Sequence, residues 1–343
     1  MTTKRVVYLD ILNVAAIFAV LFLHSNGIVH EFTPTPQWAQ SLVFEVLCYW
    51  AVPIFFMNSG ITLLAYRERY STKEFFQKRL RGAVFPFLFW SFFLLVYKVS
   101  AGRIPLQELS LPRILSMVLN TELERTYWFF IPLFSIYLAM PLFSLVESNH
   151  RLMRYTILTA FLTMSLFPAL SRLFSFQYNY ALMMPAAAGC LIFPLLGREL
   201  SQLKTTRKQR CLVYLLALAA CIWRYAFAYF DSYAAGKTVF RFPGYDAPHS
   251  LILAVAVFLF VQNTPWDKLL PERFLHRTLP KLADATLGVY LLHMLVFRHL
   301  RELLGLSMAS LRVRLLFPFA VYAVCLALTL IVKRIPYLRR ILP

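Results

Sequence analysis

Apolar stretches long enough to cross a bilayer recur along the whole chain, and the short polar segments between them collect nearly all the Lys and Arg. A helical crossing takes about 20 apolar residues, and backbone polar groups in lipid are satisfied only inside a helix or a closed barrel. Windows of about 19 residues predict ten spans, at 6–24, 41–65, 83–99, 128–146, 155–170, 180–197, 211–230, 249–262, 282–304 and 313–332. The fifth and eighth are the shortest. The chain therefore reads as an all-α integral membrane protein, a bundle of about ten transmembrane helices. With 59 % hydrophobic and 15 % charged residues it cannot be a water-soluble globule.

A formal charge of +19 invites a nucleic-acid reading, which the placement of the charges excludes. Of 35 Lys and Arg, 23 fall in one alternating set of connections (the N-terminus with Lys4 and Arg5, 66–82, 147–154, 198–210, 263–281 and the C-terminus). The other set (25–40, 98–127, 171–179, 231–248 and 298–314) holds 11, and Arg224 lies within a span. Cytoplasmic connections carry the excess of cations, so both termini are expected in the cytoplasm. The basic composition is then mostly a topology signal. No repeat or low-complexity linker divides the chain, which reads as one domain over 1–343. The apolar stretch from Val6 to His24 contains Asp10 and Asn13 and lacks a small-residue cleavage pattern, so it is expected to remain in the mature protein. Five cysteines without metal-ligand spacing (Cys48, Cys190, Cys211, Cys221, Cys325) read as buried free thiols, with no metal site.

Ionisable groups inside apolar spans are costly and mark candidate sites: Asp10, His24, Glu45, Arg224, Asp284 and His293. Asn13 and His24 are eleven residues apart, hence on one helix face and about 16 Å apart along the axis, with Asp10 close to the same stripe. Span two enters from the opposite side, which brings Glu45 to the depth of His24, where a carboxylate could orient an imidazole acting as base. Each also has a plainer role, His24 at the membrane interface and Glu45 as a rim residue in water. His293 falls near the midplane with Tyr290 on its face, and a buried hydrogen bond to a neighbouring span would explain it equally well. Arg224 could pair with Asp231 or with a carboxylate of another span. Nucleotide loops, zinc-protease motifs and serine elbows are absent, and neither His24 nor His293 is followed by an Asp at acyltransferase spacing.

Five segments in order, LDILNVAAIFAVLFLH (9–24), VPIFFMNSGITLL (52–64), FFQKRLRGAVFPFLFW (75–90), YWFFIPLFSIYLAMPL (127–142) and LGVYLLHMLV (287–296), resemble bacterial membrane acyltransferase family 3. That family includes enterobacterial common antigen O-acetyltransferase and other glycan O-acyltransferases. His24 matches the family's span-one His, while Asn13 stands at its Arg position; Arg79 matches a family Arg, and Gly82 stands where a second is usual. The resemblance implies transfer of an acyl group, usually acetyl from cytoplasmic acetyl-CoA, to a hydroxyl of an envelope glycan or lipid-linked saccharide, in a multi-pass protein of the bacterial inner membrane. Catalytic residues would be His24 as general base and Glu45. Asn13, Ser59, Lys78, Arg79 and Arg81 would hold the donor, whose phosphates need guanidinium or ammonium groups. Glu122, Tyr127, Trp128, Arg224, Tyr290 and His293 would form the acceptor side. Partners would be the saccharide, membrane lipids and other glycan-assembly proteins, with no nucleic acid. An exporter of a lipid-linked or polymeric glycan is the rival reading, and a receptor or assembly subunit that keeps the fold without turnover is a third.

Overall fold

The computed structural model describes residues 5–187 and 189–342, so Lys4 and the final Pro343 lie outside the described residues. The helices are α1 (Val7–Ser25), α2 (Pro36–Leu47), α3 (Ala51–Leu63), α4 (Thr72–Arg79), α5 (Phe85–Ser100), α6 (Leu111–Leu119), α7 (Phe130–Val146) and α8 (His150–Ala160). They continue with α9 (Phe167–Phe174), α10 (Ile192–Gln202), α11 (Arg207–Ala235), α12 (Pro248–Asn263), α13 (Trp266–Leu269), α14 (Leu279–Asp284), α15 (Thr286–Leu303) and α16 (Leu311–Arg334). Among the described residues, seven helical stretches are long and apolar enough to cross a membrane, and the pair Phe274–Asp284 and Thr286–Leu303, bent by 55°, makes an eighth if taken as one span. Large apolar side chains such as Phe92, Leu138, Leu215 and Phe230 are exposed, as lipid contact requires.

The predicted eighth span is found where expected, as the 16-residue α12, which is short for a crossing. One expectation changes. The predicted sixth is not a spanning helix: 180–182, 185–187 and 189–191 form short 3₁₀ turns, and only Ile192–Gln202 is α-helical. Pro185 and the left-handed Gly189, at φ 57°, interrupt what hydropathy alone reads as continuous. The helix that does form packs against α3 with backbones in contact. A Cβ at Gly60 would lie 2.0 Å from the Pro194 carbonyl oxygen, and one at Gly197 would lie 2.4 Å from that of Met57. Two glycines thus permit the approach that fixes the register of α3.

Three spans widen into a π-helical turn, at Leu80–Val84, Phe161–Leu166 and Phe274–Thr278, and in each a proline follows two residues later: Pro86, Pro168 and Pro280. Proline lacks an N–H and its ring clashes with the carbonyl four residues back. That carbonyl belongs to Gly82, Met164 or His276, inside the widened turn in every case. Widening releases the clash without ending the helix.

The connections sort onto two ends. At one end Arg5 bonds Asp284 (2.8 Å), Lys333 donates to the Asp284 carbonyl (2.7 Å), Trp90 donates to that of Ile341 (2.8 Å), and Gln262 donates to that of Leu200 (3.2 Å). At the other, Thr238 donates to the Val29 carbonyl (2.8 Å), Arg172 to that of Arg241 (3.4 Å), Arg314 to Gln40 (2.7 Å), and Trp128 stacks on Tyr245. The cation-rich connections meet at the first end and the cation-poor ones at the second. The five thiols are free; Cys211 is exposed, against the expectation that all are buried.

Candidate functional site

Between α1, α3, α7 and the break between α14 and α15 lies a cavity of about 250 Å³. Its polar lining comes from Asn13, Asn58, Ser59, Thr62, Arg79 and Asp284, and its far wall from Phe129 and Tyr290. Asn58 donates to the side chain of Asn13 at 2.9 Å, tying α1 to α3 across it. The break between α14 and α15 at Ala285 puts Asp284 and Thr286 on the cavity wall. Three predicted donor residues, Asn13, Ser59 and Arg79, therefore meet in one space.

Ser71 caps α4, accepting from the Glu74 N–H (3.3 Å), and the helix runs to Arg79, where the widened turn begins. Arg79 sits 5.8 Å from the Tyr137 ring, and its Nε is buried without a partner. The same side chain also lines a wide opening of about 600 Å³ at the cation-rich end, with Lys78, Arg81, Lys333, Arg339 and Arg340, and without a carboxylate. Here the structure adds residues that sequence reasoning used only as a topology signal. The C-terminal segment is held in place by the Trp90 bond to Ile341 and by the buried Leu342. Gly82 also lines this opening, and nothing lies within 4 Å of where its Cβ would be.

Beyond Tyr290 come the two histidines. The His293 ring is 5.3 Å from Tyr290 and 5.0 Å from His24, centre to centre. His293 Nδ1 faces the Tyr290 carbonyl, which can only accept, so Nδ1 carries a proton and Nε2, buried without a partner, presents a lone pair. Sequence spacing placed each histidine separately; their pairing needed the fold.

Glu45 does not orient His24. It bonds Arg224 (3.4 Å), whose guanidinium also donates to His249 Nε2 (2.6 Å) and lies 3.6 Å from the centre of the Tyr49 ring. Arg224 thus pairs across spans, while Asp231 is taken by Arg241 (2.7 Å). A column of rings continues outward: Tyr49 stacks on Tyr245 (4.2 Å), and Tyr245 on the exposed Trp128 (5.4 Å). Tyr127, expected on the acceptor side, lies in the core. It is buried and donates to the Leu291 carbonyl (2.8 Å), while Tyr290 donates to that of Thr126, so the two tyrosines clasp neighbouring segments. Glu122 is exposed and ion-paired with Arg113 (2.8 Å), in a separate opening. The predicted acceptor residues thus divide among the centre, the ring column, the core and an outer opening. Asp10 and Asp284, both candidates, are bridged by Arg5 at 2.6 and 2.8 Å, and their hydrogen bonds, that of Asp10 foremost, raise its guanidinium pKa.

The geometry is a cationic mouth and a polar cavity that share Arg79, with Tyr290 between that cavity and a pair of histidines. A family model described as an acyltransferase domain matches residues 6–334. Neither a curated protein nor a solved structure matches the chain.

Proposed function

The chain belongs to membrane acyltransferase family 3 and is an acyltransferase of membrane type; from that premise we propose that it transfers an acetyl group from cytoplasmic acetyl-CoA to a hydroxyl of an envelope glycan. The observation that carries this reading is Arg79, which lines both the carboxylate-free opening and the polar cavity whose Tyr290 packs against His293. Coenzyme A combines a phosphorylated nucleotide with a slender thiol arm. Its phosphates would rest on Lys78, Arg79, Arg81 and the C-terminal cations, and its arm would follow the Asn13 and Asn58 cavity. The rise of α1 between Asn13 and His24, about 16 Å, is of the length such an arm must cover.

At the centre, His24 takes the proton of the acceptor hydroxyl as its oxygen bonds the thioester carbonyl carbon. The carbon–sulfur bond breaks, and the leaving thiolate recovers that proton from the imidazolium. His293, held through its Nδ1, packs against His24 and fixes the ring. Phe129 and Tyr290 wall the cavity on the side of the pair, Tyr290 packing 5.3 Å from His293, so the arm would pass these rings to bring the thioester to His24.

Purified protein incubated with labelled acetyl-CoA and a glycan extract tests the reading. Label should pass to the glycan and stay on CoA with His24→Ala. Tight CoA binding without transfer by the unsubstituted chain would favour a binding subunit, and neither binding nor transfer would favour the exporter.

A further inference from the structure

The cation-poor end is not evenly poor. Eight of its 11 Lys and Arg fall in two connections, 98–127 and 298–314, against four carboxylates, Glu108, Glu122, Glu124 and Glu302. The other three connections carry three cations and three carboxylates. Insertion disfavours Lys and Arg on translocated connections, so this local excess runs against the topology signal and needs another cause.

The two cationic segments fold together. Arg298 pairs with the buried Glu124, and the Tyr97 hydroxyl lies 3.0 Å from His299 Nε2. Between them opens a cavity of about 360 Å³, lined by Lys98, Arg103, Arg113 and Arg298 with Glu108 and Glu122, within the size range of small-ligand sites. Arg113 is neutralised by Glu122 and Arg298 by Glu124. Lys98 and Arg103 form no ion pair among the described residues, which leaves two cations facing one carboxylate, Glu108. The cavity borders the reaction centre through two segments: Arg298 follows His293 by five residues on α15, and Glu124 precedes Thr126, whose carbonyl accepts from Tyr290.

We infer that this cavity binds an oxyanion carried by the acceptor, a phosphate or a carboxylate on the saccharide, through Lys98 and Arg103, so that the acceptor is anionic. The word acceptor rests on the acyl-transfer reading; the chemistry of the ligand does not. A neutral saccharide would leave Lys98 and Arg103, the latter 5.7 Å from the Tyr97 ring, without an ionic partner, whereas an oxyanion gains charge-assisted hydrogen bonds.

The full chain in detergent, titrated with geranyl phosphate, a uronic-acid oligosaccharide and a neutral oligosaccharide of equal length, tests this. At least one anionic probe should bind tenfold or more tighter than the neutral one and weaken as salt rises, and which of them binds identifies phosphate or carboxylate. The double variant Lys98→Gln, Arg103→Gln should lose about tenfold in that affinity with acetyl-CoA binding unchanged, while Lys98→Arg, Arg103→Lys should keep it. Equal binding of the neutral probe, no binding of either anion at millimolar concentration, or full affinity in the double Gln variant overturns the inference. Acetyl-CoA titrated into the same sample separates the two ideas: anion binding without CoA binding would sink the donor reading and leave the anion site standing.

Discussion

Two cationic openings face opposite ends of the bundle, and they differ in what surrounds their charges. At one end six cations, contributed by residues 78–81 and 333–340, line an opening without a carboxylate. At the other, four cations share their opening with Glu108 and Glu122, and two of the four are ion-paired. Of those six only Lys78 is ion-paired among the described residues, with Glu74 (2.9 Å), and a cluster with that much free charge gains most from a multiply charged ligand such as the phosphates of CoA. An interleaved one has little charge to spare and suits a single oxyanion. The histidines lie between the two, where a donor from one side and an acceptor from the other would meet.

The largest effect is expected where the two routes converge. His24→Ala should lower acetyl transfer by about 10²-fold or more, the scale of a lost general base, with acetyl-CoA binding near normal by calorimetry. His293→Ala should cost less, since it removes the support of the base and leaves the base itself. A well-folded His293→Ala without activity, beside an active His24→Ala, would exchange the two roles.

Next comes Arg79, which serves both the opening and the cavity. Arg79→Gln should weaken acetyl-CoA binding about tenfold or more. Lys78→Gln should change it much less, because Lys78 is already engaged by Glu74 (2.9 Å) and the Tyr70 ring (3.9 Å). A direct binding titration at two salt concentrations checks the difference, and equal losses would show that only the summed charge matters. Arg339→Gln with Arg340→Gln should cost a few-fold, more for CoA than for dephospho-CoA, if the C-terminal segment holds a phosphate. Equal loss for both would assign it to anchoring alone.

Hydropathy and charge alternation made the helical class, most of the apolar helices and the two ends legible before folding, and helix period put Asn13 on the His24 face of α1, while Ser59 and Arg79 came with the resemblance. Partner choice was not legible. Glu45 and His24 were matched by depth, yet a helix also has azimuth, and that of Glu45 turns it to Arg224, itself anchored by His249 and Tyr49. Tyr127 is expected on the acceptor side, but the 3₁₀ turn at Arg125–Phe129 turns it into the core, onto the Leu291 carbonyl. The C-terminal arginines were hidden because a charge count over alternate connections gives every cation of one set the same meaning. The irregular segment 180–191 escaped because hydropathy averages over Pro185 and Gly189.

Asn13 tests whether the cavity or the mouth carries the donor's charge. Asn13→Arg would displace the bond from Asn58 and bring a second guanidinium into the cavity that Arg79 lines, while Asp10, the nearest carboxylate along α1, is already held by Arg5. A loss of two- to fivefold in donor affinity is expected from transfer assays over a range of acetyl-CoA. A large gain in turnover would mean that the cavity lacks a charge that the mouth does not replace.

The smallest effect should come from the pair that makes the outer opening look more basic than it is. Arg113 and Glu122 are both substantially exposed and bonded at 2.8 Å, and an exposed pair of this kind contributes about 0–1 kcal/mol. Their charges cancel toward any ligand more than a few ångströms away. Arg113→Gln together with Glu122→Gln should therefore leave thermal stability within about 1 kcal/mol and change binding of an anionic probe less than twofold. Arg113→Gln alone should do more, since it frees Glu122 to oppose an incoming anion alongside Glu108. If the double substitution abolishes anion binding while Lys98→Gln spares it, the ligand is gripped by the pair and not by the unpaired cations, and the contrast between the two mouths narrows to one of location.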